Sequence, residues 1–483
     1  MDQVEHSGHG GALRFFSPST QLFRHYIPTE FIFLAIAEFW VFALCFVGGF
    51  HLRYLGAESS SMTTIGPIFP KALVFAIVMT LSMIAMRAYQ RSSRRSLGVI
   101  ALRAGASLVV GFAILTLTYY IAPMFFFGRG AVLLAVITSF ISVVSIRAIF
   151  YHIVREKKLD LRVLVLGTGK LARMIEATTE RGELIGINVL GYVNLQNTSN
   201  SVEYRDVIQL NESLSSYAVR NNVDQLVIAV EERRKGLPIA DILDCKMNGI
   251  DVVDLVTFFE RQRGKISLEI LSPSWMFLSD GFRQPAARRL SKRLFDLGVV
   301  LCILPLALPL MGLVALGIWL ESGGRGPILY RQVRVGKAGR LFQILKFRSM
   351  RVDAEKDGVA RWAQRNDSRV TRTGSFIRKS RLDELPQLFN ILRGDMSFVG
   401  PRPERPEFTR ELQASLPFYG ERHRVKPGLT GWAQISYPYG ATQEDALNKL
   451  EYDLYYVKNY DIFLDMLILL QTVEVVLLGK GAR

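Results

Sequence analysis

Cysteine and histidine are both scarce in this chain of 483 residues. The three cysteines, Cys45, Cys245 and Cys302, are too few and too scattered for a disulfide framework or a cysteine-based zinc site, so we expect a reducing compartment. The six histidines include no His-x-x-x-His pair, and no P-loop spacing occurs. Carboxylates are therefore the remaining candidates for reactive side chains. The polar N-terminal segment lacks a charged region followed by a short apolar core, so no cleaved signal peptide is expected.

The composition is apolar and basic. Hydrophobic residues make up 49% of the chain, and the mean hydropathy of +0.21 is high for a wholly soluble protein, which indicates membrane segments. The formal net charge of +16 suits nucleic acid, anionic lipid or a phosphorylated substrate, and charge alone does not choose among them. The length allows about three domain-sized units.

Four apolar stretches lie in the first third of the chain, each near the ~20 residues that a helix needs to cross a bilayer. Basic residues concentrate between the second and third stretches and after the fourth, so the charge rule places both termini in the cytoplasm. We expect four transmembrane helices within residues 1–155. The stretches are Phe31–Phe50, Ala72–Met86, Val99–Ala122 and Ala131–His152, and the basic loop carries Arg87, Arg91, Arg94 and Arg95.

Residues 156–288 alternate strand-like apolar runs with segments of helical length, which predicts a parallel α/β sheet of the Rossmann-like kind. The first strand runs into GTGKLA, where Gly167 and Gly169 would permit a tight turn onto a helix. Asn194 stands where an acid that binds ribose would be sought. The motif is a weak one. Two interpretations stay open: the glycines form a nucleotide loop, or they only close the turn between strand and helix, which the lone motif favours.

A further apolar region runs from Leu297 to Leu320 and contains Pro305 and Pro309. Each proline lacks an N–H and clashes with the preceding turn, so a sharp bend is expected. Both flanks are basic, and a straight crossing would leave one basic cluster outside. A helix-break-helix hairpin that enters and leaves on the cytoplasmic face satisfies both flanks, so we favour a re-entrant helix at about 293–320 over a fifth span.

Residues 321–349 form a basic segment punctuated by glycine, in which ILYRQVRV and RLFQILKFRS predict a β-hairpin. The hairpin would project Arg331, Arg334, Lys346 and Arg348. Such a surface suits lipid phosphate or a diphosphate. A solvated basic face beside an anionic membrane explains the same charges equally well.

The stretch RLDELPQLFNIL holds two adjacent carboxylates, Asp383 and Glu384. One interpretation makes Asp383 the N-cap of a helix with Pro386 in its first turn, where a missing N–H is harmless. The same helix N-terminus would keep the carboxylate ionised and attract phosphate. Two adjacent carboxylates also suit Mg²⁺, and Arg378 and Arg402 are candidate phosphate ligands because the arginine fork matches phosphate oxygens.

From about Lys292 onward five motifs follow one another: KRLFD, ESGGRGPILYRQ, KFRSM, RLDELPQLFNILRGDMSFVGPRPERPEF and KPGLTGWAQ. With these motifs the chain resembles the bacterial sugar transferase family, the monotopic polyprenyl-phosphate phosphoglycosyl transferases. The whole chain resembles the large form of that family, so the expected fold is a four-helix transmembrane bundle, a Rossmann-like middle domain and a catalytic α/β domain, 289–483, with a re-entrant helix.

The resemblance implies that Asp383 attacks a UDP-sugar, releases UMP and holds the sugar phosphate until undecaprenyl phosphate accepts it. It further implies Mg²⁺ at Asp383, Glu384 as the second member of the dyad, and Arg378 and Arg402 on phosphate. Pro309 best matches the helix break of the family, although Leu308 replaces a serine before it. Exopolysaccharide or O-antigen assembly at the bacterial inner membrane is the implied setting.

The resemblance does not identify the sugar. UDP-glucose and UDP-galactose are the first choices, and a homo-oligomer is compatible with the sequence. Two alternatives remain. A membrane-tethered nucleotide-sugar epimerase or dehydratase is suggested by GTGKLA but disfavoured because the chain has no Tyr-x-x-x-Lys pair. A membrane-anchored protein that binds nucleic acid or lipid without catalysis is suggested only by the charge.

Overall fold

The computed structural model describes most of the chain in two compact units, the N-terminal unit Met1–Gln262 and the C-terminal unit Arg263–Arg483. A division into three domains at residues 155 and 288 stays a prediction. The basic residues Arg91, Arg94 and Arg95 of the second loop lie outside the described residues. The structure describes residues 19–22, 25–53, 67–89, 97–126, 128–155, 160–184, 186–195, 201–202, 206–231, 237–279, 281–282, 284–352, 354, 369–438, 440 and 442–477.

A short antiparallel pair of strands, β1 and β2, precedes four long helices in the N-terminal unit. All four helices are long and apolar enough to cross a membrane, which confirms apolar helices at the four predicted stretches. Aromatic, methionine and small side chains pack between them, and leucines and aromatics remain exposed on their outer faces. The elements are β1 (Ser19–Leu22), β2 (His25–Pro28), α1 (Thr29–Arg53), α2 (Ile68–Ala85), α3 (Leu97–Ile121) and α4 (Arg129–Arg155).

One buried ion pair joins the first and fourth of these helices. The Arg147 guanidinium lies 2.6 Å from one carboxylate oxygen of Glu38 and donates to the carbonyl oxygen of Ala88 at 2.8 Å. Tyr89 donates its hydroxyl proton to the same carboxylate at 2.6 Å. A charge inside an apolar bundle is costly unless paired, so this cluster constrains which helices neighbour each other.

The second part of the N-terminal unit contains the predicted parallel sheet, which has five strands in the order β5-β4-β3-β6-β7. Helices connect the strands as crossovers, and β3, β4 and β6 are largely buried because both faces are covered. The strands are β3 (Leu161–Leu166), β4 (Ile187–Val193), β5 (Val207–Ile208), β6 (Gln225–Ile228) and β7 (Asp251–Asp254), and the helices are α5 (Lys170–Glu180), α6 (Leu214–Arg220), α7 (Ile239–Met247) and α8 (Leu255–Arg263).

The GTGKLA turn joins β3 to α5 beside the carboxyl end of β6, where the strand order reverses. Gly167 has a φ of +120°, and a Cβ there would lie 2.6 Å from the carbonyl oxygen of Ala229, so only glycine fits this close approach. Gly169 caps α5. The carboxylate of Glu231 accepts the N–H of Lys170 at 2.7 Å. The helix N-terminus that would face a phosphate therefore already carries a carboxylate of the chain.

Helix α10 (Ala286–Glu321) lies in the C-terminal unit and is 36 residues long. The expected helix-break-helix arrangement needs a correction, because the helix runs without interruption through Pro305 and Pro309. Each proline removes only one N–H donor, which a helix in an apolar environment tolerates. A change of direction at these prolines is then a bend within one helix and not a loop between two.

The remaining elements surround two small sheets. Strands β8 and β9 form the predicted antiparallel hairpin, and β10 pairs with β11 in parallel. Helix α16 is packed, with Leu464, Asp465 and Ile468 fully buried. The elements are α9 (Pro273–Leu278), β8 (Leu329–Val335), β9 (Leu341–Phe347), α11 (Arg372–Lys379), α12 (Gln387–Arg393), β10 (Ser397–Val399), α13 (Pro406–Ser415), β11 (Gly428–Thr430), α14 (Trp432–Ser436), α15 (Gln443–Asn459) and α16 (Ile462–Leu477).

Candidate active site

Asp383 and Glu384 lie in a 3₁₀ turn, Leu382–Glu384, between α11 and α12. Arg381 begins this turn in the left-handed conformation, with a φ of 61°. Helix α12 starts at Gln387 and its N-cap residue is Pro386. The interpretation of Asp383 as a helix N-cap is therefore wrong. The tighter turn ends before the α-helix begins, so the dyad precedes the helix instead of capping it.

Glu384 is held by two cations. One of its carboxylate oxygens accepts from Lys346 Nζ at 2.9 Å and from Arg402 Nη2 at 3.2 Å, and the residue is only 9% exposed. Burial opposes its ionisation, but Lys346, Arg402 and Arg381 outweigh burial and hold the pKa of Glu384 well below its usual range. Glu384 is therefore an ionised anchor for two cationic side chains.

Asp383 has the opposite electrostatic environment. Burial, followed by the like charge of Glu384, raises the pKa of Asp383 above its ordinary value, and Lys346, Arg381 and Arg378 act in the other direction. The expectation that a helix N-terminus keeps this carboxylate ionised is thus replaced by burial and one anion acting against three cations. Two neighbouring carboxylates with opposite pKa shifts are typical of functional sites, where each takes a different role.

Lys346 reaches Glu384 because its strand is fixed by a buried amide. The side chain of Asn390, on α12, accepts the N–H of Leu345 at 2.9 Å and donates to the carbonyl oxygen of Gln343 at 2.8 Å. These bonds attach β9 directly to the helix that follows the dyad. Sequence reasoning missed Asn390, although a polar residue within the apolar run LFNIL was a usable signal.

Arg402 lies in the GPRP segment, which follows β10. Its guanidinium donates to Glu384 and, at 3.2 Å, to the side-chain oxygen of Gln434. The N–H of Gly428 donates to the carbonyl oxygen of Pro401 at 2.9 Å, and a Cβ on Gly400 would lie 2.4 Å from the carbonyl oxygen of Lys426. Close backbone packing against the neighbouring segment therefore places this arginine at the dyad.

The other two predicted phosphate ligands, Arg378 and Arg348, lie in different surroundings. Arg378, in the last turn of α11, is near enough to lower the pKa of Asp383. Arg348 is buried elsewhere, and its two terminal nitrogens each lie 3.3 Å from the carbonyl oxygen of Arg325. It supports the loop after α10, so its role on phosphate stays a prediction. Arg381, which acts on both carboxylates, was missed even though it stands directly before them in RLDE.

The donor set suits a magnesium ion that is shared with a substrate. Within the described residues no group of three or more histidine, cysteine, aspartate or glutamate side chains comes together, and Asp383 and Glu384 are two adjacent carboxylates. Magnesium is usually held by one or two carboxylates together with substrate phosphates and water. Glu384 is engaged by two cations, which makes Asp383 the more accessible donor.

Comparison with known proteins places these residues in a recognised region. The family model described as bacterial sugar transferase matches residues 287–479, which include the dyad, Lys346 and Arg402. A UDP-N-acetylgalactosamine-undecaprenyl-phosphate N-acetylgalactosaminephosphotransferase of Aeromonas hydrophila is 48% identical over 192 residues, 40% of this chain. That match spans 45% of the Aeromonas protein, so it covers under half the length of this relative.

Two further relatives match through most of both chains. A UDP-glucose:undecaprenyl-phosphate glucose-1-phosphate transferase of Xanthomonas campestris pv. campestris is 33% identical over 372 residues, 74% of this chain and 75% of the relative. A UDP-galactose-lipid carrier transferase of Erwinia amylovora is 33% identical over 358 residues, 70% of this chain and 72% of the relative. The similarity therefore extends beyond residues 287–479, which the family model matches.

Proposed function

The chain belongs to the bacterial sugar transferase family, and on that premise we propose that it transfers a hexose-1-phosphate from a UDP-sugar to undecaprenyl phosphate and releases UMP. One observation carries the proposal: an Asp-Glu dyad with Lys346, Arg378 and Arg402 around it lies in the same compact unit as the apolar helix α10. A phosphate-binding site joined to a membrane helix suits a reaction between a soluble diphosphate and a lipid phosphate.

The reaction proceeds in two displacements at phosphorus. A carboxylate oxygen of Asp383 attacks the β-phosphorus of the UDP-sugar, the bond from that phosphorus to the bridging oxygen breaks, and UMP leaves with the electron pair. A phosphate oxygen of undecaprenyl phosphate then attacks the sugar phosphate on Asp383, which regenerates the carboxylate. Covalent catalysis divides one difficult transfer into two easier ones.

The structure suggests separate tasks for the surrounding residues. The raised pKa of Asp383 makes it the more basic and more nucleophilic carboxylate of the pair. Glu384 stays ionised and keeps Lys346 and Arg402 beside the reacting phosphate, where they stabilise charge on its oxygens. Asp383 would hold Mg²⁺ together with the diphosphate. When bound, the ion neutralises charge on the leaving group.

Helix α10 supports a position of the site at a membrane surface. Arg293, near its start, donates to the carbonyl oxygens of Ile391 and Leu392, and the carboxylate of Glu321, at its end, accepts the N–H of Thr373. Both ends therefore attach to one polar unit, which lies on one side of a bilayer, and this favours a re-entrant helix over a complete crossing. Exposed leucines between the ends, which would contact lipid, include Leu301, Leu306, Leu308, Leu310, Leu313 and Leu316.

The same side must be the cytoplasmic one if the donor is a UDP-sugar. The loop charges of the four N-terminal helices predict cytoplasmic termini. We therefore place the protein in the inner membrane with the four-helix bundle as anchor and the catalytic site at the cytoplasmic headgroups. The names of the three relatives carry three different sugars, so glucose, galactose and an N-acetylated hexose all need testing.

The decisive measurement is nucleotide release. Purified protein with Mg²⁺, undecaprenyl phosphate and each UDP-sugar in turn should release UMP with one sugar, and Asp383→Asn should abolish the release because the nucleophile is lost. Asp395→Asn, at an exposed aspartate of the same unit, is the matched control and should retain activity. Mass spectrometry of the Asp383 peptide should detect a hexose phosphate when the acceptor is omitted. Release of UDP in place of UMP would refute the proposal.

A further inference from the structure

A buried guanidinium supports the arginine that faces the dyad. Arg422 lies in the 3₁₀ turn Tyr419–Arg424 and is only 6% exposed. Its Nε and Nη2 donate to one carboxylate oxygen of Asp453, on α15, at 3.0 and 2.7 Å. Its Nη1 lies 2.9 Å from the hydroxyl oxygen of Tyr419. Nη2 also donates to the carbonyl oxygen of Arg402 at 3.0 Å, so one side chain joins α15 to the GPRP segment.

These contacts need the geometry of arginine. A guanidinium presents several N–H donors in one rigid plane, whereas a lysine presents one nitrogen on a flexible stem and reaches fewer of these acceptors. A buried ion pair is in general a weak source of stability, because the cost of removing both charges from water offsets most of their attraction. What the Arg422–Asp453 pair does supply is a fixed donor aimed at the backbone of Arg402.

The backbone of Arg402 is restrained on every side. Pro401 precedes it with a fixed φ, and Pro403 follows it, which restricts Arg402 itself to extended conformations. The carbonyl oxygen of Pro401 is held by the N–H of Gly428, and that of Arg402 by Arg422. In this structure the Arg402 guanidinium bonds to Glu384 and Gln434.

We propose that Arg422 is a positioning residue that fixes the backbone of Arg402, so that the Arg402 guanidinium exchanges its contacts for a phosphate oxygen of the UDP-sugar without movement of the GPRP segment. The inference rests on the proposed function, in which Arg402 binds the diphosphate. It extends that function to a residue that touches neither the dyad nor the substrate. Asp453 and Tyr419 are the partners that orient it.

A double-mutant cycle tests the coupling. Arg422→Lys should lower kcat/KM for UMP release about tenfold, as expected for one lost hydrogen bond to a charged group. In an Arg402→Lys background the same change should cost much less, because the guanidinium that Arg422 positions is gone. Arg424→Lys is the matched control: it lies in the same turn, is exposed, and pairs with Glu421 at the surface. Equal losses in the two backgrounds would overturn the proposal.

The cycle is repeated on the equilibrium affinity for UDP-glucose, which needs no turnover. If UMP is not released but the affinities are non-additive, the proposed function fails and the positioning role holds. If UMP is released and the two losses add in both measurements, the positioning role fails and the function holds. If Arg422→Lys does not fold, Tyr419→Phe replaces it in the cycle, because it removes one partner of the Arg422 guanidinium. The loss of kcat/KM that Tyr419→Phe causes should likewise be smaller in the Arg402→Lys background.

Discussion

Glu384→Gln is the substitution that best separates the roles of the two carboxylates. Glutamine keeps the shape of Glu384 and an oxygen for Lys346 and Arg402, which lie 2.9 and 3.2 Å from the carboxylate, but it removes the charge. A hydrogen bond to a charged group contributes about 1.5–3 kcal/mol and is roughly twice as strong as a neutral one. If glutamine keeps half of the free-energy contribution of each of the two hydrogen bonds, from Lys346 and from Arg402, the substitution costs about 1.5–3 kcal/mol in total.

Expressed wholly in the transition state, that loss slows the reaction about 10- to 150-fold. The pH dependence should change as well. Glu384 is one cause of the raised pKa of Asp383, so its neutralisation lowers that pKa and moves the acid limb of the rate profile to lower pH. UMP release measured across a pH series gives both quantities.

The stability of the fold should also depend on pH through Glu384. Folding lowers the pKa of Glu384, so its contribution to the free energy of unfolding is complete above about pH 4.3, the ordinary glutamate pKa, and is lost as the pH falls further. The difference in Tm between wild type and Glu384→Gln should therefore be largest near neutral pH and shrink in acid. Glu407→Gln, at an exposed glutamate of α13, controls for the loss of a charge.

A different outcome would reject this account of Glu384. If Glu384 accepts a proton during the reaction, the glutamine variant should lose activity at every pH, with no displacement of the acid limb. An unchanged Tm at neutral pH would likewise show that Lys346 and Arg402 do not depend on its charge.

Two further predictions concern the rest of the chain. Lys292→Met removes the ammonium that lies 2.7 Å from the fully buried Asp465 and should lower the free energy of unfolding by about 3–5 kcal/mol, measured by thermal unfolding in detergent. Lys379→Met, at an exposed lysine, is its control, and a loss below about 1 kcal/mol would contradict the pairing. NADH should not protect the protein against thermal unfolding, because the N–H of Lys170 that would meet its pyrophosphate already binds Glu231. Protection at micromolar NADH would restore the nucleotide interpretation of Gly167 and Gly169.

Much of the secondary structure followed from local pattern. The length and period of the apolar runs predicted the four N-terminal helices, the parallel sheet and the β8–β9 hairpin, because each pattern is typical of one kind of element. Boundaries near proline were less predictable. The turn at Asp383 became a 3₁₀ turn and the helix through Pro305 stayed continuous, since both outcomes depend on surroundings that the local pattern does not contain.

The sequence by itself determined which residues are candidates for the chemistry: Asp383, Glu384, Lys346 and Arg402 were singled out by residue type and motif order. Only the tertiary structure decided which of these side chains are in contact and how the environments of the two carboxylates differ. Lys346 meets Glu384 across 38 positions of the chain, and Arg422 meets Asp453 across 31. Such contacts depend on how helices and strands pack, and no local pattern encodes them. The opposite pKa shifts of two adjacent carboxylates arise from that packing, because burial and a different set of three cations act on each carboxylate.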